Sequence, residues 1–171
     1  GLGFAPDTWD SLVRAMKALG YSEQELFDGG LVRHGRSGGV YDTFRNRLMF
    51  PVIDVRGNVI GFSGRILGDG EPKYMNSPET IVFSKSHNLF ALNLAKKSKC
   101  GYIILAEGNI DVASLHQAGF DSAVASLGTS LTPEQARLLS RYTSEIVIAY
   151  DNDGAGQKAS QRAIGILEKL E

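Results

Sequence analysis

The sequence predicts an α/β protein in which a mixed α/β amino-terminal subdomain is followed by a parallel sheet covered by helices. After Cys100, short apolar runs of strand length alternate with helical segments, the order typical of a parallel sheet. Before that point, apolar residues at helical spacing give way to a strand pattern from Arg47. We therefore predict a basic subdomain over residues 1–97 and a second subdomain over residues 98–171.

The amino-terminal half begins with two predicted helices. Apolar spacing predicts a helix from Asp7 to Leu19 whose apolar face includes Trp9, and a short helix follows over Ser22 to Phe27. The basic, glycine-rich segment from Arg33 to Gly39 is expected to be an exposed loop.

A β-hairpin is predicted next, with strands from Arg47 and from Val59 on either side of a turn at residues 55–58. We expect an irregular segment over Lys73 to Pro78 and a helix over Leu89 to Lys97.

The carboxyl-terminal half predicts three strands and three helices in alternation. The strands are expected at Tyr102–Ala106, Ser122–Ser126 and Ile146–Tyr150. The helices are expected at Asp111–Gln117, from Thr132 to about Tyr142, and at Ala155–Leu170.

Composition excludes several classes of protein. With 171 residues and 43% hydrophobic content, the chain can bury a core, and no apolar run approaches the roughly 20 residues of a membrane helix. One cysteine permits no internal disulfide, and no Cys/His cluster indicates structural zinc, so a cytoplasmic location is expected. The amino terminus lacks a signal peptide and a Met, which indicates an excised fragment.

The net charge of −1 conceals an asymmetry along the chain. Residues 1–30 carry −3, residues 31–100 carry +6, and residues 101–171 carry −4. A basic middle beside an acidic end suits phosphate binding next to metal binding. Charge alone, however, favours an ordinary solvated surface.

Carboxylates follow two of the predicted parallel strands. Glu107 comes directly after the first strand, and Asp151 and Asp153 follow the third. Ligands gather at the carboxyl ends of such strands, and ligand sets made only of oxygen suit Mg²⁺ or Mn²⁺ in phosphoryl chemistry. The alternative is that Glu107 and Asp153 only cap helices.

At this point the chain resembles known families. The segments Glu107–Val112, Ala125–Thr129 and Asp151–Gly156 resemble the Toprim fold of bacterial primases, topoisomerases and certain nucleases. The upstream strings YDTFRNRLMFP, GFSGR and PKYMNSPET are similar to motifs of the bacterial replicative DNA primase family.

The resemblance implies the RNA-polymerase domain of that family, with a Toprim subdomain truncated at its carboxyl-terminal end. It implies catalytic and metal-binding roles for Glu107, Asp151 and Asp153, with Asp111 as a further acid beside the metal. Nucleotide or template contacts are implied for Arg45, Arg47, Arg65, Lys73, Tyr74, Asn76 and Lys85. Tyr74 fits base stacking and packing between prolines equally well.

The implied activity is template-directed synthesis of RNA primers on single-stranded DNA by a nucleotidyltransferase that uses Mg²⁺ or Mn²⁺. The implied partners are the DNA template, ribonucleoside triphosphates and, through a domain absent from this fragment, the replicative helicase. A cytoplasmic monomer at the replication fork is expected. Zinc would belong to a separate preceding domain, and a further acidic pair would lie beyond Glu171, so we expect the fragment to show weak activity or none.

Two alternatives remain open. A Toprim nuclease or topoisomerase lacks support because no tyrosine nucleophile stands in a known context and the upstream half matches primase. A noncatalytic module that binds single-stranded nucleic acid is disfavoured by three retained carboxylates, whose charges are costly without a metal.

Overall fold

The computed structural model describes residues 1–36, 38–128 and 130–170, and the chain divides into two compact units. The first unit comprises Gly1–Pro51 and Ile60–Ser84, and the second comprises Val52–Val59 and the chain from Lys85 onward. The division at residues 97 and 98 stays a prediction. None of the helices formed by the described residues combines the length and apolar character of a membrane span.

The first unit opens with a short strand and two helices. Strand β1 spans Gly3–Ala5, helix α1 spans Ser11–Ala18 and helix α2 spans Glu23–Asp28. Ser22 caps α2 through a capping box with Glu25, as the predicted start at Ser22 requires.

Helix α1 begins later than predicted because its cap comes from a distant residue. The backbone N–H groups of Leu12 and Val13 donate to the carboxylate of Asp42, at 2.8 and 3.0 Å. This buried carboxylate satisfies amides that a helix start leaves unpaired, so α1 begins at Ser11. The placement of Trp9 on the helix was wrong, because Trp9 precedes α1 and is 65% exposed.

A hairpin of two short strands replaces part of the predicted loop. Strand β2, Val32–His34, pairs antiparallel with strand β3, Val40–Asp42. The prediction of a loop was therefore wrong at Arg33 and His34. The hairpin is anchored by Val32, which is 2% exposed and packs against α1 and α2.

The predicted hairpin after Arg47 is confirmed as strands β4, Arg47–Ile53, and β5, Val59–Ile66. Asp54 accepts hydrogen bonds from the backbone of Arg56 and Asn58 at the turn, and Gly57 adopts a φ of 99°.

Two further strands complete a sheet of order β1-β4-β5-β6. Strand β6, Tyr74–Asn76, lies within the predicted irregular segment Lys73 to Pro78, so that prediction was wrong at these three residues. Each of β1 and β6 has only three residues, and each gains its hydrogen-bond partners from a longer neighbouring strand.

The second unit begins with a shorter helix than predicted. Helix α3 spans only Leu92–Ala95, and Ala91 before it has a φ of 63°. Phe90 exchanges backbone hydrogen bonds with Ala125, so residues 89–91 do not extend the helix. The predicted helix over Leu89 to Lys97 was wrong at its start for this reason, and α3 also ends at Ala95, two residues before the predicted end.

The alternating pattern in the second unit is confirmed as a parallel three-stranded sheet of order β8-β7-β9. Its strands are β7, Ile103–Ala106, β8, Ala123–Ala125, and β9, Ile146–Ala149. The connecting helices are α4, Asn109–Gln117, α5, Pro133–Leu139, and α6, Gly154–Leu167, with a 3₁₀ turn at Glu168–Leu170.

Central strand β7 is buried on both faces. Ile103 and Leu105 pack into one apolar cluster with Leu139 and Ala163, which belong to α5 and α6. Ile104 and Ala106 pack into a second cluster that includes Val112 of α4. Burial of both faces fixes the position of the residue that follows β7, which is Glu107.

Candidate functional site

The ends of two parallel strands bring Glu107 and Asp151 together. Ala106 of β7 pairs in register with Ala149 of β9, so both strands leave the sheet at the same edge. The backbone N–H of Asp151 donates to Oε2 of Glu107 at 3.3 Å. The Glu107 carboxylate thus accepts a hydrogen bond from the loop that carries the Asp151 carboxylate.

Asp153 caps helix α6. Its Oδ1 accepts hydrogen bonds from the backbone N–H of Ala155, at 3.0 Å, and of Gly156, at 2.7 Å. Oδ2 accepts no hydrogen bond from the residues that the structure describes. The cap therefore uses one carboxylate oxygen of Asp153 and leaves the other able to coordinate a cation.

The loop between β9 and α6 is folded tightly against Gly156. A Cβ added at Gly156 would lie 2.1 Å from the carbonyl oxygen of Asp151. No side chain fits that space, so glycine at this position determines where the Asp151 backbone lies.

Asp111 lies in the first turn of α4, where its Oδ2 accepts a hydrogen bond from the backbone N–H of Gly108 at 2.9 Å. The helix-capping alternative, made for Glu107 and Asp153, therefore describes part of what Asp153 does. It does not describe Glu107, whose oxygen contacts the loop after another strand.

The four carboxylates suit a hard divalent cation by their chemistry. All four residues are exposed. Among residues 1–36, 38–128 and 130–170, no group of three or more Asp, Glu, His or Cys side chains is arranged to hold a metal ion. Mg²⁺ usually binds one or two protein carboxylates and completes its shell with water and substrate phosphates. The pairing of Glu107 with the Asp151 loop fits that mode of binding.

Tyr150 lies between the apolar core and the carboxylates. It packs partly buried against the cluster around β7. Burial, and to a lesser extent the nearby charge of Glu107, together raise the pKa of Tyr150 to about 12. The Tyr150 hydroxyl is therefore neutral and able to donate at neutral pH.

Arg47 is a buried residue of the first unit, only 4% exposed. Its Nη1 donates to the carbonyl oxygens of Gly64, at 3.1 Å, and of Pro72, at 3.0 Å. Burial lowers the pKa of Arg47, and the charge of Arg45 lowers it further. The guanidinium of Arg47 thus joins β4 to the neighbouring strand and loop.

Arg45 lies nearer the surface and is held by three residues. Its Nη1 donates to the carbonyl of Asp42 at 2.7 Å, and its Cζ lies 4.0 Å from the centre of the Trp9 ring. The Tyr41 ring centre is 5.3 Å away. A cavity of about 310 Å³ adjoins Arg45 and Arg47.

Three other predicted binding residues share one face of the four-stranded sheet, and this face is not the one on which Arg47 packs. Arg65 pairs with Tyr74, and Ser63 pairs with Asn76, so Arg65, Tyr74 and Asn76 lie on one face. Gly64, one residue along, faces Arg47 instead. The buried Nε of Arg65 has no hydrogen-bond partner within the described part of the chain, and Lys73 is exposed.

Lys85 belongs to the second unit, where its carbonyl accepts a hydrogen bond from the buried side chain of Gln135 at 2.8 Å. The predicted binding residues are thus divided between both units. No binding role was predicted for Trp9 or Tyr41. Tyr41 stands in the same segment as Arg45 and Arg47, which was a usable signal, whereas Trp9 lies about 30 residues earlier and meets Arg45 in the folded chain.

Two family models match the chain. The one described as the DNA primase catalytic core, N-terminal domain, matches residues 1–96, and the one described as Toprim-like matches residues 104–171.

Relatives and solved structures agree with these matches. The DNA primase of Clostridium acetobutylicum is 53% identical over 170 residues, which cover 99% of this chain and 28% of that protein. A DNA primase domain from Pseudomonas aeruginosa is similar with a TM-score of 0.89 at 42% identity, covering 97% of this chain and 53% of that one. A DnaG primase catalytic domain bound to ssDNA is similar with a TM-score of 0.84 at 42% identity, covering 95% and 51%. The chain spans about a quarter of the length of the curated relatives it matches.

Proposed function

Because the chain belongs to the DNA primase catalytic-core family, we propose that it takes part in synthesising short RNA primers on a single-stranded DNA template. The reaction is a nucleotidyl transfer in which the 3′-hydroxyl of one ribonucleotide attacks the α-phosphate of the next and pyrophosphate leaves. Positioning and charge stabilisation supply most of the acceleration in such a reaction.

The observation that carries this proposal is the contact between Glu107 and the Asp151 loop. The hydrogen bond from Asp151 N–H to Glu107 Oε2 links two acidic segments across 44 residues of sequence. It lies at the carboxyl edge of a parallel sheet, where ligands of α/β proteins collect.

We assign Mg²⁺ or Mn²⁺ to Glu107, Asp151 and Asp153, with Asp111 beside them. When bound, such an ion neutralises charge on the phosphates of the incoming nucleotide. Glu107 and Asp151 would supply oxygen ligands to the ion, while Asp153, which fixes the start of α6, would keep its uncapped oxygen for the ion or for a water bound to it. Tyr150, partly buried near Glu107, stays neutral and adds no charge to the site.

The basic and polar residues of the first unit bind nucleotide or template. Arg45 and Arg65 offer planar guanidinium groups that hold phosphate with two hydrogen bonds, and exposed Lys73 acts as a point charge. Tyr74 and Asn76 lie on the same sheet face as Arg65 and contact the same ligand. Lys85 is a basic residue of the second unit, and Arg47 acts within the first unit by joining β4 to the neighbouring strand.

The partners that follow are single-stranded DNA and ribonucleoside triphosphates. We further propose a cytoplasmic monomer at the replication fork, with the replicative helicase bound through another part of a longer protein.

Metal binding is the first test. We would titrate Mn²⁺ into the chain and follow the free ion by electron paramagnetic resonance, comparing the original chain with Asp151→Asn. The matched control is Glu145→Gln, because Glu145 is an exposed acid at the opposite end of β9. We expect Asp151→Asn to weaken binding about tenfold or more and Glu145→Gln to leave it unchanged.

Activity is the second test. The segment would replace the matching 170 residues of the Clostridium acetobutylicum primase, and ribonucleotide incorporation on single-stranded DNA would be measured. Incorporation that is lost with Asp151→Asn supports the proposal. A hybrid that binds single-stranded DNA but incorporates nothing, together with a chain that takes up no Mn²⁺, would support the noncatalytic module instead.

A further inference from the structure

Gln135 is a polar residue of helix α5 that is completely buried, with 0% of its surface exposed. Its Oε1 accepts a hydrogen bond from the backbone N–H of Thr132 at 3.0 Å, as part of the capping box of α5. Its Nε2 donates to the carbonyl oxygens of Lys85 and Asn88, each at 2.8 Å. The capping box does not need these last two bonds, so they act on the segment of residues 85–88.

Thr132 binds the same segment. Its Oγ1 donates to the carbonyl oxygen of Ser86 at 2.6 Å and accepts a hydrogen bond from the backbone N–H of Gln135 at 3.1 Å. Two side chains at the start of α5 therefore hold three of the four carbonyl oxygens of residues 85–88. Because the donors are linked to each other, they fix the segment as one unit.

The segment of residues 85–88 lies at the carboxyl edge of the parallel sheet. Phe90 exchanges backbone hydrogen bonds with Ala125, the last residue of β8, in an antiparallel bridge. Ala125 pairs in register with Ala106, which directly precedes Glu107. Since the chain at Phe90 runs opposite to β8, the residues before Phe90 continue past the end of that strand. They leave the sheet at the same edge as Glu107.

We propose that Gln135 is a positioning residue for Lys85 in the nucleotidyl transfer reaction. It fixes the backbone from which the Lys85 side chain extends, and so holds a cation that binds phosphate at the edge where Glu107 lies. A lysine carries its charge on a flexible four-carbon stem, so its backbone position determines which phosphates it reaches. This inference rests on the proposed function, in which Lys85 binds nucleotide or template.

The test uses the hybrid primase that carries this segment within the Clostridium acetobutylicum protein. Values of kcat and of KM are measured for Gln135→Met, for Lys85→Ala and for the double variant. The KM for ribonucleoside triphosphates and the KM for the DNA template are determined separately, because both ligands offer phosphates.

A double-variant cycle shows whether Gln135 acts through Lys85. Loss of one charged hydrogen bond to phosphate represents about a 10-fold or larger change, so Lys85→Ala should raise one of the two KM values by that factor. Gln135→Met should raise the same KM by a smaller factor. In the Lys85→Ala background, Gln135→Met should raise it no further, since the cation that it positions is already absent.

Leu139→Ala is the matched control for a loss of stability. Leu139 belongs to the same helix and is also 0% exposed, but it packs into the apolar cluster around β7. A smaller folded fraction lowers the apparent kcat and leaves KM unchanged, and this is the result expected for Leu139→Ala. Thr132→Val is a second test variant, because it removes the bond to Ser86 and retains the Gln135 side chain. Thr132→Ser keeps the hydroxyl and should restore the KM that Thr132→Val changes.

The outcomes separate this inference from the proposed function. Unchanged KM values in Gln135→Met and Thr132→Val, or effects that multiply with that of Lys85→Ala, would overturn the positioning role and leave the proposed function standing. Unchanged KM values in Lys85→Ala would overturn the positioning role as well, while continued incorporation would support the proposed function. If the hybrid with the original segment incorporates no ribonucleotide, the proposed function and this inference are overturned together.

Discussion

Gly156→Ala is expected to displace the Asp151 loop and with it the candidate metal site. The new Cβ would lie 2.1 Å from the carbonyl oxygen of Asp151 and 2.9 Å from its carbonyl carbon. Both atoms belong to the backbone, so no side-chain rotation relieves the clash. The loop must move by about 1 Å to restore ordinary contact distances.

The expected cost follows from that displacement. Overpacking of a fixed site costs about 1–3 kcal/mol, and we expect the upper part of this range because the obstacle is backbone. A shift of about 1 Å at a reacting centre lowers the rate by about 100-fold. The Asp151 N–H would also move away from Glu107, so Mn²⁺ affinity should fall with activity.

Gly154→Ala is the matched control, two residues away at the first position of α6. A Cβ there meets nothing within 4 Å. Alanine in a helix is favoured over glycine by about 1 kcal/mol, so this variant should be slightly more stable than the original chain. Urea denaturation measures both variants, and Mn²⁺ titration measures the site. If Gly156→Ala matches Gly154→Ala in stability and in Mn²⁺ affinity, the close approach to Asp151 does not determine the loop.

Two other expectations test the assignments of Arg47 and Tyr150. Arg47→Met should lower the free energy of unfolding by about 2–4 kcal/mol in urea, since it removes the hydrogen bonds of a buried guanidinium to two carbonyl oxygens. Arg45→Met should change stability little and lower the salt dependence of DNA binding by about one charge. Unchanged stability of Arg47→Met would contradict its buried position. Because the pKa of Tyr150 is raised from 10.0 to about 12, the folded state keeps a proton that the unfolded chain releases, so stability should fall as pH rises from 10 to 12. Glu107→Gln should lower the pKa of Tyr150 but leave it above 10, because burial is the larger cause of the shift. An ultraviolet titration, with Tyr150→Phe as the reference, measures this pKa. An unchanged pKa in Glu107→Gln would show that the Glu107 charge does not act on Tyr150.

Local patterns in the sequence were sufficient for the second unit. Alternating apolar runs predicted β7, β8 and β9 in parallel, and the Thr132 capping box predicted the start of α5. The acids at the strand ends were visible for the same reason, because Glu107 follows one strand directly and Asp151 follows another. Periodicity and capping depend on residues only a few positions apart.

The first unit was harder to predict because its elements depend on distant partners. Helix α1 begins where Asp42, about 30 residues away, accepts its amide hydrogens. Strands β1 and β6 have three residues each, and each pairs with a longer strand. No window of local sequence contains those hydrogen bonds, so local patterns predict a long helix at α1 and an irregular segment at β6.

The sequence by itself determined the parallel sheet of the second unit, the edge where Glu107 and Asp151 lie, and the family to which these motifs point. Only the tertiary structure decided the roles of two basic residues that looked alike in sequence. Arg47 is buried because two backbone carbonyls accept its guanidinium, whereas Arg45 is held at the surface against Trp9. Spacing along the chain fixes which edge of a sheet a residue reaches, but burial and hydrogen bonding depend on segments that meet only after folding.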